Sequence, residues 1–512
     1  MAALSFSGSL ANAMLQFDLT AVWAFTTFLI FVVLTRVLYT AYCTPLSRVP
    51  GPWYAPFTNI PLKIAVLGGR RAFHVHNLHS RYGSVVRISP NELAICDTEG
   101  FNKIHAGRQG FPKNSWYQRI TGDSILAIFT MRDPKVHAER RRILSKGFSK
   151  SSLRSSWEGE IRDMVNIAID GMHQDALHDP TRAVDVSKWF TLLATDIAGR
   201  VMFGDSFGML QAGKKTEYCE LVEKATLASA LREEIPFIRI LAACLPIKLF
   251  KDVTASIPLM NEYGRRAVVN TRAALTLYSK QMTIFSGMVV GQEKEPGSLT
   301  DADIATEARN LTIAASDTTA TALTYFVWDV IRRPQLQAAL ERELSTLQGE
   351  ELTDEVLEHL PLFNATFLEV LRLHGSAASS LPRDVPNGGA VFDGFAVPEG
   401  TIVHTQAYTM HRRPEVWGVD ADEFKIERWL NESGTSIRTG IEHSTYSPFG
   451  TGVRACIGIH LAWMEMRHAG AAFLLRCAQA QIAPEMHEDE MDMEDYFTMK
   501  PKGRRCMVSL SG

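Results

Sequence analysis

Residues 449–458, with the sequence FGTGVRACIG, stand directly before a helix-forming run that begins at Ile459. A thiol at the start of a helix meets unpaired backbone N–H groups and the positive end of the helix macrodipole, and both favour the thiolate. Glycines without side chains let a flat cofactor approach the backbone, and Arg454 supplies a cation for a carboxylate of that cofactor. The segment is typical of a loop that presents Cys456 as an anionic ligand to a haem.

The other six cysteines are widely scattered and form no CxxC pair: Cys43, Cys96, Cys219, Cys244, Cys477 and Cys506. With Cys456 the chain has seven cysteines. An odd number, widely scattered and without a CxxC pair, argues against a disulfide framework or a zinc ribbon and indicates a reducing compartment. We expect five of them to be buried structural residues, namely Cys96, Cys219, Cys244, Cys477 and Cys506. A buried structural role is also the alternative for Cys456, but there the combined pattern of glycine, arginine and helix start favours a ligand.

The loop resembles the cysteine segment of the cytochrome P450 family, the haem-thiolate monooxygenases, which has the form F-x-x-G-x-R-x-C-x-G. All five fixed positions match, at Phe449, Gly452, Arg454, Cys456 and Gly458. The resemblance implies a mainly α fold with small β-sheets, in which haem b lies between a long distal helix and the proximal cysteine-ligand loop and helix. It further implies that Cys456 is the axial iron ligand, with loop contacts to the haem from Phe449, Gly450, Arg454 and Gly458.

The composition is that of an ordinary globular protein. The chain has 512 residues, of which 46% are hydrophobic and 21% charged, so it can bury a large core. The net charge of −3 argues against a nucleic-acid partner. Most of the chain has helical periodicity, and short strands are predicted at 85–89, 92–96, 390–392, 401–404 and 506–510.

One helical pattern is much longer than the rest. Thr300 with Asp303 gives a capping-box start, and the pattern continues to Arg333, before Pro334. Within it, residues 314–319 (AASDTT) are similar to the oxygen-activation motif of the family. The resemblance implies that Thr318 hydrogen-bonds the bound oxygen and that Asp317 relays protons to it. Ordinary packing of polar helix residues is the alternative, and Ala315 stands where the family often has glycine.

Three charged residues match a structural triad of the same family. Glu369 and Arg372 share one face of a helix predicted over 360–374, at the spacing of an ion pair. Arg428 lies in a segment, 424–429, that is similar to the family pattern F-x-P-x-R-W, with Ile426 in place of the proline. The resemblance implies a buried network of these three residues that supports the fold around the haem, whereas surface charge is the alternative.

The two propionates of a haem require cations or strong donors in a partly buried site. His137 and Arg141, one helical turn apart, resemble the pair that the family places below the haem. Arg383 resembles its propionate-binding arginine, and Arg454 completes the set. Surface exposure is the alternative for each.

The N-terminal region predicts a membrane anchor. A cleaved signal peptide is the alternative, but such peptides begin with a positive segment, and no Lys or Arg precedes Arg36. Residues 19–35 carry no charge, and the apolar stretch extends to residue 42 if Arg36 reaches the headgroups. Basic residues follow the stretch, which places the body in the cytosol. The predicted organisation is a lumenal segment (1–18), a transmembrane anchor (19–42), a Pro-rich, extended hinge (43–60) and a haem-thiolate catalytic domain (61–512).

A thiolate ligand favours O–O bond cleavage over reversible oxygen binding, so the predicted activity is monooxygenation in the EC 1.14 class. No flavin or nicotinamide fingerprint is present, so the electrons must come from a separate reductase. The resemblance implies that this partner is the membrane-anchored NADPH–cytochrome P450 reductase. The implied location is the endoplasmic reticulum membrane, with a single span and a cytosolic catalytic domain. Alternatives are a haem-thiolate isomerase or peroxygenase, or a non-catalytic haem-binding membrane protein.

By analogy with the family, four segments should line a distal pocket for a small lipophilic substrate: residues 114–120, residues 310, 311 and 314, residues 379–381, and residues 496–499. Residues 458–467 (GIHLAWMEMR) look like those of filamentous-fungal members. This resemblance implies a role in fungal secondary metabolite biosynthesis.

Overall fold

A computed structural model gives the structure of the chain and describes residues 3–106, 110–121, 125–216, 233–235, 262–273, 275, 283–294, 299–347, 349, 351–434, 436–437 and 445–510. Side chains are described from residue 20 onwards, except at 293–294. Helices with both ends described are α1 (Ala3–Tyr42), α2 (Ile60–Leu67), α3 (Arg71–Tyr82), α4 (Thr98–His105), α5 (Trp116–Thr121), α6 (Pro134–Ser145), α7 (Lys150–Ser156), α8 (Glu158–Leu177), α9 (Val186–Phe203), α10 (Met209–Ala212), α11 (Ser286–Lys294), α12 (Asp301–Ile331), α13 (Pro334–Ser345), α14 (Asp354–Glu358), α15 (Pro361–His374), α16 (Ala407–Met410), α17 (Pro414–Trp417) and α18 (Ile459–Arg476).

The strands are short and form four separate small sheets. They are β1 (Val85–Ser89), β2 (Glu92–Ile95), β3 (Ala183–Asp185), β4 (Arg383–Asp384), β5 (Ala390–Phe392), β6 (Phe395–Val397), β7 (Ile402–His404), β8 (Gln481–Ile482), β9 (Met493–Tyr496), β10 (Thr498–Pro501) and β11 (Met507–Ser509). The largest sheet has the order β1-β2-β7-β4, with β2 and β7 parallel, and the others are β3-β11-β8 and the hairpins β5-β6 and β9-β10. All five predicted strands are present to within one residue at each end. The six that were not predicted have only two to four residues, too few for a periodic signal.

The long helix predicted from the sequence is α12. The backbone N–H of Asp303 donates to the Thr300 hydroxyl (3.1 Å), and the N–H of Thr300 donates to the Asp303 carboxylate (2.8 Å), which completes the predicted capping box. The 31 residues of α12 span about 46 Å at 1.5 Å per residue. It packs on α9, α15 and α18, so it forms the central axis of the domain.

Aromatic rings join α12, α15 and α18 into one core. Phe326 on α12 stacks on Phe367 of α15, with ring centroids 4.1 Å apart and planes within 9°. Phe367 in turn meets Trp463 of α18 edge-on at 6.2 Å. At Gly470, a β-carbon would lie 2.8 Å from the Phe367 ring, so only glycine allows α18 to approach this closely. The stack fixes the spacing between the distal helix and the helix that follows the cysteine loop.

The segment after the anchor differs from the extended connector that we expected. Residues 45–48 form a 3₁₀ turn, and Leu46 and Val49 are buried in a cluster with β-sheet residues. Burial of these apolar side chains outweighs the extended tendency of the prolines. The buried Arg87 of β1 donates to the Thr40 carbonyl at the end of α1 (3.1 Å). The end of α1 is thereby attached to the globular body.

Helix α1 contains one apolar stretch, Thr20–Tyr42, that is long enough to cross a membrane, and nearly all of its residues are exposed, whereas Ala41 near its end is buried. Such a helix is compatible with a membrane anchor. It is continuous with the preceding residues from Ala3 onwards.

A buried ion pair stands where α15 meets the segment that precedes the cysteine loop. Glu369 and Arg372 are fully buried, and two nitrogens of the guanidinium donate to the carboxylate at 2.7 and 2.8 Å. The carboxylate also accepts from the Lys425 backbone N–H (2.7 Å) and the Trp429 indole (2.9 Å), and Arg428 Nε lies 3.6 Å away. The structure thus brings the three predicted triad residues together, despite Ile426.

We expect Glu369→Gln to destabilise the protein by about 3–5 kcal/mol, because it leaves Arg372 charged and buried without a counter-ion. The measurement is the thermal unfolding midpoint together with the haem content of the purified protein. Glu139→Gln is the matched control, since Glu139 has an arginine at the same spacing, Arg142, but is exposed. Equal effects of the two substitutions would contradict a structural role for the buried pair.

Candidate active site

The loop that carries Cys456 closes on itself through backbone hydrogen bonds. The N–H of Cys456 donates to the Phe449 carbonyl (2.8 Å), and the N–H of Gly450 donates to the Ser447 carbonyl (3.0 Å). Gly450 has a φ of +68°, a left-handed value that favours glycine. Cys456 then lies three residues before the first residue of α18, as its place at a helix start predicts.

A buried histidine connects this loop to the ion pair of α15. His411 is fully buried, and its Nε2 accepts from the backbone N–H of Ser447 (2.9 Å). Its Nδ1 then carries the proton and donates to the Arg372 carbonyl (3.1 Å). Burial lowers the pKa of His411 to about 3, so the ring is neutral at physiological pH. Sequence analysis missed this residue, because a single histidine carries no motif.

Cys456 differs from the buried cysteines in its surroundings, and Cys43 at the end of the anchor helix is also exposed. Cys96, Cys477 and Cys506 are buried, as expected, whereas Cys219 and Cys244 lie outside the described residues. Cys456 is exposed, and the neighbouring residues Gly452–Arg454 include no buried one. Burial by the surrounding protein raises the pKa of the Cys456 thiol, while the N–H of Gly458 and the charge of Arg141 lower it. Cys456 therefore stays accessible to a ligand, although the surrounding protein desolvates its thiol.

The middle of α12 also contains residues that are not buried. Ser316, Asp317 and Thr319 are buried, but Ala314 is exposed and Thr318 is only half-buried. The Thr318 hydroxyl donates to the Ala314 carbonyl (2.8 Å), which is the bond expected of a threonine that loosens a helix turn. Ala314 and Thr318 are therefore accessible in the middle of a helix that is otherwise mostly buried.

Basic groups gather on one side of the cysteine loop. Arg454 donates to the Met131 carbonyl (2.7 Å), and Arg141 donates to the Ala455 carbonyl (2.8 Å). Burial, followed by the charge of Arg383, lowers the pKa of Arg454 to about 10. Burial and the charges of Arg454 and other basic groups lower the pKa of His137 to about 3. The structure therefore brings all four predicted propionate residues into one site.

Lys113 is a fifth member of this cluster, and sequence analysis missed it. It is buried, and burial together with the charges of Arg383 and Arg454 lowers its pKa. The buried Nε of Arg383 has no hydrogen-bond partner among the described residues. Several cations that repel one another, with a donor left over, require an anion. The two carboxylates of a haem fit this site, and the exposed sulfur of Cys456 fits its iron.

The glycines of the loop differ in the space around them. A β-carbon at Gly452 would lie 2.7 Å from the His105 carbonyl, so this glycine, with φ of +65°, serves the packing of the loop against α4. A β-carbon at Gly458 would lie 3.9 Å from the Cys456 sulfur, an ordinary contact distance. Phe449 is half-buried, and its ring lies 6.4 Å from that of Trp463.

Part of the predicted distal pocket lines a single cavity. Its predicted members are Trp116, Ile120, Ser379, Ser380 and Phe497. Asn310, Leu311 and Ala314 do not line this cavity. Its polar wall, which the sequence did not predict, consists of Arg71, Glu233, Glu234, His404 and Asp495. The rings of Trp116 and Phe497 lie 5.5 Å apart, so the cavity joins an aromatic surface to charged groups.

Comparison with known proteins identifies the class. The sequence profile of the family described as "Cytochrome P450" matches residues 50–508. "Cytochrome P450 monooxygenase stcB" of Emericella nidulans is 36% identical over 93% of this chain and 91% of its own length. "Cytochrome P450 monooxygenase aflV" of Aspergillus parasiticus is 36% identical over 93% of each chain. "Methylphloroacetophenone oxidase" of Cladonia uncialis is 32% identical over 74% of this chain and 84% of its own length.

The chain belongs to the cytochrome P450 family. The family implies a haem-iron cofactor, and the residues around Cys456 fit that group. The predicted activity class, a haem-thiolate monooxygenase, is confirmed, as is the resemblance to filamentous-fungal members. These relatives also support a role in fungal secondary metabolism.

We expect Arg383→Met to weaken haem retention, because a charge-assisted hydrogen bond to a propionate contributes about 1.5–3 kcal/mol. At about 1.4 kcal/mol per factor of ten, the variant should lose haem about ten- to a hundredfold faster than wild type. The rate is measured as transfer of haem to excess apomyoglobin. The control is Arg413→Met, which removes a half-buried arginine that donates to the Cys96 carbonyl outside the cluster. Equal transfer rates for wild type and Arg383→Met would contradict the assignment of Arg383 to a propionate.

Proposed function

We propose that the protein inserts one oxygen atom of O₂ into a lipophilic, ring-containing substrate, with Cys456 as the thiolate ligand of haem b. The balanced reaction is RH + O₂ + NADPH + H⁺ → ROH + H₂O + NADP⁺. Its electrons come from NADPH through NADPH–cytochrome P450 reductase. The observation that carries the proposal is the exposed Cys456 sulfur at a helix start beside a cluster of basic side chains.

The cofactor supplies oxygen activation when it is bound, and the protein supplies binding, orientation and protons. Arg454, Arg383, His137 and Arg141 would hold the propionates, with Lys113 close by. The neutral state of His137 suits a hydrogen-bond donor better than a counter-ion. Arg141 also donates to the Ala455 carbonyl, so it both fixes the loop and places a positive charge near the thiolate.

Thr318 and Asp317 would manage protons on the distal side of the cleft. The exposed turn at Ala314 provides room for a water molecule near the Thr318 hydroxyl. Asp317 is adjacent in sequence, and a carboxylate there can pass protons toward that hydroxyl. An isomerase or a peroxide-dependent enzyme needs no such delivery, so this pair supports monooxygenation over those alternatives.

The cavity chemistry supports an aromatic, oxygen-bearing substrate. Trp116 and Phe497 offer ring faces, while Arg71 and Ser380 offer donors and Glu234 offers an acceptor. A relative that is named for a substituted acetophenone is consistent with this class. Comparison of metabolites from strains with and without the gene would identify the substrate as the compound that accumulates.

The function is tested with full-length protein reconstituted with reductase, NADPH and the accumulated compound. In ¹⁸O₂, the product should gain one labelled atom, which an isomerase would not give. Cys456→Ala should lose both the product and the carbon monoxide difference spectrum of a ferrous thiolate haem. Cys477→Ala, at the other end of α18, is the matched control and should keep both. An unchanged spectrum in Cys456→Ala would overturn the ligand assignment.

We further propose that α1 anchors the enzyme in the endoplasmic reticulum membrane, with the body in the cytosol. Full-length protein in microsomes should resist extraction by alkaline carbonate, and protease added outside should digest the body without detergent. Deletion of residues 1–36 removes most of the apolar span but leaves Thr40, the Arg87 partner, so the truncated protein should be extracted with its haem spectrum intact. Carbonate extraction of the full-length protein, or its recovery in the medium, would contradict the anchor.

A further inference from the structure

Lys500 of β10 forms a buried ion pair with Asp317 of the distal helix. Its ammonium donates to Oδ2 of the carboxylate, and the side chains are only 11% and 8% exposed. The two residues are 183 positions apart, and no motif in the sequence pointed to the lysine. No described residue is hydrogen-bonded to Oδ1 of Asp317. The pair therefore fixes the carboxylate through one oxygen and leaves the other free for a proton carrier.

The same strand, β10, is linked through Ser376 to the backbone of Thr318, the residue that follows Asp317. The backbone N–H of Met499 donates to the Ser376 carbonyl (2.8 Å), and the Ser376 hydroxyl donates to the Thr318 carbonyl (2.8 Å). Lys500 and Ser376 thus hold adjacent residues of one helix turn, Asp317 and Thr318, from outside the helix. Such contacts restrict the loosened turn that the Thr318 hydroxyl creates by bonding to Ala314.

The tip of the hairpin reaches the cavity. Phe497, between β9 and β10, has a φ of +83°, which is strained for a bulky side chain, and its ring lines the cavity beside Trp116. Asp495 stabilises the tip by accepting from the Phe497 N–H (3.2 Å). Strained backbone of this kind persists where its surroundings hold it, and it concentrates at functional sites. Only two residues separate this tip from Lys500.

We infer that Lys500 is a positioning residue for proton delivery, which orients Asp317 and joins it to the hairpin that lines the substrate cavity. A buried lysine without this role would serve only to neutralise Asp317, and then removal of both charges would be harmless to the chemistry. Proton delivery instead requires the carboxylate in one orientation next to Thr318. The inference rests on the proposed function, because it assigns a part of the proton path in the same site.

The test uses full-length protein with reductase and NADPH, and it needs no substrate. Two electrons and two protons convert O₂ to hydrogen peroxide, so one NADPH is consumed for each peroxide. Four electrons and four protons convert O₂ to two waters, which consumes two NADPH and requires protons at the site. The ratio of peroxide released to NADPH consumed therefore measures failed proton delivery. Solvent deuterium isotope effects on NADPH consumption provide a second readout.

We expect Lys500→Met to raise the peroxide ratio toward one and to slow the water-forming flux about tenfold, part of the 10²–10⁴-fold that a general acid typically contributes. Lys500→Arg should restore the wild-type ratio, because it keeps a cation for the carboxylate. Asp317→Asn should resemble Lys500→Met, and the double variant should add nothing further. Lys502→Met is the matched control, since Lys502 is exposed and paired with Asp489.

A ratio and an isotope effect equal to wild type in Lys500→Met would overturn the inference. The inference would also be overturned if Lys500→Met raised the peroxide ratio as much in the Asp317→Asn variant as in wild type, because Lys500 would then act through a residue other than Asp317. If Lys500→Met does not fold, Lys500→Gln takes its place, since the amide keeps a donor without the charge. Thermal unfolding midpoints of the two single variants and the double variant check the pair independently of activity, and additive shifts would argue against it. If wild-type protein does not show the carbon monoxide difference spectrum of a ferrous thiolate haem, the proposed function itself would be overturned.

Discussion

The buried pair of Glu369 and Arg372 is the constraint on which the proximal half of the molecule depends. A fully buried carboxylate and guanidinium are tolerated only where every donor and acceptor is used. Arg372 meets this condition by donating to backbone carbonyls of residues 411 and 423, and its own carbonyl accepts from His411. His411 passes the constraint to the cysteine loop through Ser447. Through these bonds the buried pair constrains the segment that leads into the Cys456 loop.

The distal half of the molecule is organised around helix α12. Helix α12 is buried along most of its length, and the turn that we propose for proton delivery, at Ala314 and Thr318, is one of its more accessible places. A helix turn weakened by a threonine gains freedom, and the contacts from β10 and Ser376 limit that freedom. In our proposal, these contacts hold Asp317 and Thr318 in the positions that proton delivery requires.

The sequence predicted what is periodic or local, and missed what depends on distant contacts. The capping box at Thr300, the helix with Glu369 and the cysteine loop are read from neighbouring residues, and all three were predicted. Lys500 and His411 act through partners 183 and 36 residues away, and single residues without a motif cannot reveal such pairs. The connector at Leu46 was predicted as extended because its prolines are visible in sequence, whereas the core that buries it is not.

The basic cluster around Arg383 has a consequence for the life of the protein in the cell. Without haem, several cations share a partly buried space, and their repulsion opposes the compact state. A ligand that binds only the folded protein stabilises it in proportion to the logarithm of its free concentration. Haem is therefore both a reagent and a folding ligand, and the amount of enzyme that escapes proteolysis would follow the haem supply. Biosynthesis of the cofactor would then control the abundance of the enzyme as well as its activity.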